Sequence, residues 1–127
     1  LNQMEKNWLS QSERDLITAK NCARSGDFYA SAFFCHQTIE KCLKALYISR
    51  FDDLPPKTHH IDKLARLLEA PDDIVNITYA LSEDYMMTRY PDVTDKLPFQ
   101  SYNESMASQK ISQSEKLLLW VKKKLGE

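Results

Sequence analysis

The sequence predicts an all-α fold, an up-and-down bundle of four to five helices with a long loop before the last one. Three observations carry this. Gly occurs only twice and Pro five times in 127 residues, so the closely spaced turns of a sandwich or barrel are missing and the elements must be long. Apolar residues recur at spacings of three and four along most of the chain, the period of a helix that buries one face. The hydrophobic share of 43% and charged share of 28% are those of an ordinary globular chain, which folds on its own core without metal or disulfide. Residues 1–127 read as a single domain.

The first predicted helix, about Met4 to Arg24, carries Trp8, Leu16, Ala19 and Ala23 on one face, with Asp15 on or beside it. Ser25-Gly26-Asp27 then supplies a stop and a start, because Gly accepts the left-handed conformation beyond a helix and Asp can cap the next one. The second helix, Phe28 to about Phe51, is apolar almost all round. Phe28, Ala32, Cys35, Ile39, Cys42 and Leu46 lie on one side and Phe34, Ala45 and Ile48 on another, which places it at the centre of the bundle. Leu54-Pro55-Pro56 ends that stretch.

A short third helix, about His60 to Glu69, shows Ile61, Leu64, Leu67 and Leu68. After Ala70-Pro71, Asp72 is a candidate cap for a fourth helix carrying Ile74, Ile77, Tyr79, Leu81 and Tyr85. From about Met86 to Tyr102 the periodicity stops, and a connection this long is usually functional or disordered. Its Met and aromatic content predicts a packed loop. The last helix, about Asn103 to Leu125, sets Ala107, Ile111, Ser114, Leu118, Val121 and Leu125 in one seam. Lys122, Lys123 and Lys124 fall where the helix dipole favours cations.

Lys and Arg total 17 against 18 for Asp and Glu, a net charge of -1, so no broad attraction to nucleic acid or an anionic membrane is expected. Any such contact must be local. No apolar run approaches the roughly 20 residues that span a bilayer, and no basic segment leads into a hydrophobic one at the N-terminus. The expected location is the cytoplasm. Cys22, Cys35 and Cys42 form no C-x-x-C pair and read as reduced thiols on apolar helix faces.

The polar residues gather on the second helix. His36, Gln37, Glu40 and Lys44 fall within one arc, shared with Tyr29, Phe33 and Tyr47, with Lys41 in the same run. One reading is structural, with His36 bonding Glu40 and Glu40 bonding Lys44, each four residues apart. The other is a groove for a ligand or subunit, with Arg89 arriving from the loop. Arg89-Tyr90-Pro91-Asp92 serves equally as a phosphate fork or as a salt bridge to Glu40 or Asp84. His59-His60 opens the third helix, where His60 is a candidate anion contact. His36, His59 and His60 have no recognised metal-ligand spacing, so no metal is expected.

Taken together, the Trp8-led first helix, the Ser25-Gly26-Asp27-Phe28-Tyr29 junction and the run from His36 to Leu46 resemble the HEPN domain (higher eukaryotes and prokaryotes nucleotide-binding). His60 with Leu64 and the Arg89-Tyr90-Pro91-Asp92 segment match the same pattern, so the resemblance spans nearly the whole chain. It implies a helical bundle, usually dimeric and often encoded beside a small nucleotidyltransferase in a toxin–antitoxin-like pair. Many similar proteins are ribonucleases with Arg followed four to six residues later by His, whose imidazole moves a proton. Here no histidine follows Arg89.

The expectation is therefore a non-catalytic binding module, a homodimer that pairs with a nucleotidyltransferase or holds a nucleotide, with RNA not favoured and no membrane contact. Its groove would use His36, Gln37, Glu40, Lys41, Lys44, His60, Arg89, Tyr90 and Asp92. The alternative is a metal-independent ribonuclease recruiting His36 or His60, and a third is a purely structural subunit.

Overall fold

The computed structural model describes residues 2–126 and is all-helical over them. α1 (Gln3–Arg24) and α2 (Phe28–Phe51) form an antiparallel hairpin, followed by α3 (Ile61–Leu67), α4 (Asp72–Ser82), a single turn α5 (Asp84–Met87), a 3-10 turn (Pro98–Gln100) and α6 (Glu104–Leu125). Local chemistry sets the ends. Asn2 and Asn103 cap α1 and α6 by accepting from the amides of Glu5 and Met106. Gly26, at φ 84°, lets the chain reverse between α1 and α2, a conformation an L side chain resists.

α2 occupies the centre, packed against α1, α3, α4, α5 and α6. Ile39, Leu43, Ala45 and Cys42 are fully enclosed, joined in the core by Leu9, Leu16, Leu64, Leu81, Leu117 and Val121. Its flanks are tied by polar bonds as well. The Ser12 hydroxyl donates to the Thr38 carbonyl at 2.7 Å and the Ser114 hydroxyl to the Cys35 carbonyl at 3.4 Å. Cys35 and Cys42 are free and buried, and burial pushes both thiols up to about 12. No helix among the described residues is long and apolar enough to cross a membrane.

The structure corrects three local expectations. The third helix is shorter than His60 to Glu69, because His60 is its N-cap and Leu68 its C-cap. Tyr85 does not continue α4: the helix stops at Ser82, and Tyr85 sits on the separate turn α5. The loop is not packed, since Tyr90, Val93, Leu97 and Phe99 are exposed. It is instead held at its ends.

That holding centres on Asp84. Its carboxylate accepts from the Tyr102 hydroxyl at 2.6 Å and pairs with Lys110 of α6 at 2.7 Å. The Thr88 hydroxyl donates to the Asp84 backbone carbonyl. Burial raises the Asp84 carboxyl above its ordinary range, against the pull of Lys110. A lone charge left in such a place is costly. Lys110→Met should therefore lower unfolding free energy by about 3–5 kcal/mol in urea titrations, and adding Asp84→Asn should restore part of the loss; an additive double mutant would refute the pairing.

Candidate functional site

The polar arc of α2 opens towards α5 and the segment that leads into α3. Glu40 is its hub. Buried in the bundle, its carboxylate pairs with Lys44 through Oε2 at 3.1 Å and with His59 through Oε1 at 2.9 Å. The spacing of four predicts the first pair. His59 comes from outside the helix and takes the oxygen that the spacing assigns to His36.

His36 is fully buried, and neither of its ring nitrogens has a partner among the described residues. Its ring packs 5.5 Å from that of Tyr85. Burial pushes the imidazole down to about 4, with Glu40 opposing the effect and Arg89 adding to it. His36 is thus a neutral core group at pH 7. Gln37 beside it also has a buried, unpartnered amide nitrogen.

His59 differs in every respect. Its side chain is 52% exposed and its ring stacks on Tyr85 at 4.2 Å with planes 15° apart. A carboxylate only accepts, so the bond to Glu40 assigns a hydrogen to Nδ1, and in the neutral imidazole the lone pair is then on Nε2. Neither composition nor helical spacing marks His59, because its partner lies 19 positions away across a Pro-containing connection.

Arg89 forms neither of its expected salt bridges. Among the described residues it makes no ion pair, since Glu40 is taken by Lys44 and His59 and Asp84 by Lys110 and Tyr102. Its guanidinium lies instead over Tyr85 at 4.4 Å and over Phe33 at 5.0 Å. Two rings hold the planar group by cation–π attraction. The N–H groups at its edge remain for an oxyanion.

A cleft of about 350 Å³ adjoins this cluster, lined by Lys57, Thr58, His59, His60, Ser82, Tyr85 and Met86. The lining holds cationic and neutral groups and no carboxylate. His60 is exposed there as the start of α3, without a side-chain cap bond. Lys44 stays buried, its ammonium 5.5 Å from the Trp8 ring.

Other expected members lie elsewhere. Lys41 faces α1, where it pairs with the buried Asp15 at 2.5 Å, because one position beyond Glu40 rotates it away from the hub. Tyr90 and Asp92 are exposed on the loop beyond Arg89. Among the described residues no group of His, Cys, Asp and Glu could hold a metal ion.

A neutral His36 has a consequence for stability. Its folded value lies near 4 and its unfolded value near 6.5, so the unfolded chain binds the proton more readily between them. The stabilisation is complete above about pH 6.5 and is lost as pH falls towards 4, amounting to roughly 3 kcal/mol. Urea unfolding of wild type and His36→Phe at pH 7 and pH 4.5 should show a smaller acid loss in the variant; equal losses would contradict this assignment.

The HEPN domain family model matches residues 5–124 of the chain. The solved structure of TT1696 from Thermus thermophilus is similar with a TM-score of 0.89 and 26% identity, covering 97% of this chain and 99% of that one. ST0689, an archaeal HEPN homologue, is similar with a TM-score of 0.80 and 31% identity, covering 95% and 97%. No curated protein matches the chain.

Proposed function

This chain belongs to the HEPN domain family, and from that premise we propose that it is a nucleotide-binding helical module whose site is centred on Arg89. The observation that carries this reading is a guanidinium fixed over Tyr85 and Phe33 with no carboxylate partner among the described residues. An arginine held by its faces presents its edge to a phosphate, and needs little further ordering to bind one. The neighbouring cleft, lined by Lys57, His59 and His60 without an acid, favours the same anion. The exposed ring of Tyr90, next in the chain, offers a face on which a base can stack.

With a net charge of -1, affinity has to come from this local site rather than from the field of the whole protein. The homodimer and the nucleotidyltransferase partner belong to the same proposal. Tyr90, Val93, Leu97 and Phe99, exposed on one loop, supply apolar surface of the kind protein partners cover.

Fluorescence anisotropy with a 5′-labelled single-stranded RNA oligonucleotide at low salt tests the site. Arg89→Ala should weaken binding about ten- to hundredfold, the worth of a charged hydrogen-bonded contact. Asp92→Asn, on the exposed loop, should change it little. Equal affinity in wild type and Arg89→Ala would overturn the proposal. Light scattering and co-capture of a nucleotidyltransferase from the native cell test the two protein partners.

A further inference from the structure

We propose that the end of the bundle away from Arg89 holds a second ligand site, a cleft for a free amino acid with an aromatic side chain. The cleft encloses about 500 Å³ and is lined by Arg50, Leu68, Glu69, Pro71, Trp120 and Lys124. That is the size of a small-molecule site. Arg50 lies near the end of α2 and Phe33, which underlies Arg89, near its start, roughly 25 Å apart along the helix axis. The two sites are separate.

Glu69 occupies a costly backbone position. It follows Leu68, the C-cap of α3, at φ 55°, in the left-handed region where an L side chain crowds its own backbone and Gly is the usual occupant. The Glu69 amide donates to the Arg66 carbonyl and the Ala70 amide to the Ala65 carbonyl, bonds that close the helix whichever side chain stands there. A glycine would do so with less strain. The Glu69 side chain is exposed and takes no part in the closure, so a carboxylate at this strained point suggests a use outside the fold.

The cleft also holds unlike charges that do not neutralise each other. None of the ion pairs among the described residues includes Arg50, Glu69 or Lys124. Arg50 donates through Nη1 to the Leu68 carbonyl, which fixes its guanidinium and leaves further N–H groups for a carboxylate. Lys124, in the last turn of α6, adds a second cation. A ligand bearing an ammonium beside a carboxylate satisfies both sides. A simple anion would leave Glu69 unmatched, and a simple cation would leave Arg50 and Lys124.

Trp120 supplies the third contact. Its ring is half-buried and packed against the core, so it is held in place while part of it lines the cleft. Leu68 and Pro71 extend the apolar surface, against which a flat ring packs with favourable aromatic contact. A free amino acid carries both charges on its α-carbon, whereas a chain end carries one of them and an internal residue neither. The chemistry of the lining thus selects the free aromatic amino acid over a peptide.

The test titrates the full nitrogen-15-labelled chain with L-phenylalanine and follows the indole N–H signals by NMR. The chain has two tryptophans, so the Trp120 signal should move while that of Trp8, outside the cleft, stays; Trp120→Phe assigns them. N-acetyl-L-phenylalanine lacks the ammonium and L-phenylalaninamide the carboxylate, and each should bind about tenfold more weakly. Glu69→Gly should weaken L-phenylalanine binding about tenfold and leave N-acetyl-L-phenylalanine unchanged. It should also melt no lower than wild type, which separates lost affinity from lost fold. Lys124→Ala should weaken L-phenylalanine and spare L-phenylalaninamide. A Trp120 signal that L-phenylalanine does not move, equal affinity for the N-acetyl derivative, or unaltered binding in Glu69→Gly would overturn this inference.

Discussion

A helix enclosed on nearly all sides has to satisfy every charged group it carries, and α2 meets that constraint at Glu40. A carboxylate buried in the bundle is tolerable only with close partners. Lys44 supplies one from the next turn, and His59 supplies the other from a separate segment. The second partner matters more for architecture, because it fixes where the chain entering α3 must run. Tyr85 then packs on His59, and Arg89 packs on Tyr85. One buried charge thus orders a row of groups that ends at the protein surface.

Much of this fold was legible in the sequence. The all-round apolar character of residues 28–51 identifies the central helix, the turn at Ser25-Gly26-Asp27 implies the hairpin, and the Glu40–Lys44 pair follows from spacing alone. These are local signals, carried by residues within one or two turns of each other. The HEPN resemblance agrees with the family to which the chain belongs. Boundaries are less well marked: a propensity pattern does not reveal that the chain breaks between Ser82 and Asp84 and resumes as a separate turn.

The site was legible only in part, for a physical reason. His36 and Glu40 have the spacing of a hydrogen-bonded pair, but a carboxylate with both oxygens occupied has little to offer a third partner in a crowded core. Lys41 belongs to the same run and still turns to Asp15, which is 26 positions away. The segment around Arg89 suits an ion pair, yet aromatic faces hold the guanidinium instead. For His36 and Lys41 the deciding partner comes from a distant part of the chain, and Arg89 rests both on Tyr85, one turn back, and on the distant Phe33; periodicity reports only which face a residue occupies. His59 shows the same limit from the other side: it belongs to no periodic pattern and acquires its geometry wholly from Glu40 and Tyr85.

The fastening of the loop bears on how such a molecule can change over time. Thr88 at its start and Tyr102 at its end both bond to Asp84, one through the backbone and one through the carboxylate. The intervening stretch starts and finishes at a single anchor, so its length and composition are insulated from the helices beneath. Selection can therefore rewrite Pro91 to Ser101 without disturbing the helices, as one would exchange a detachable part, and a lineage can acquire a new associate without rebuilding its core.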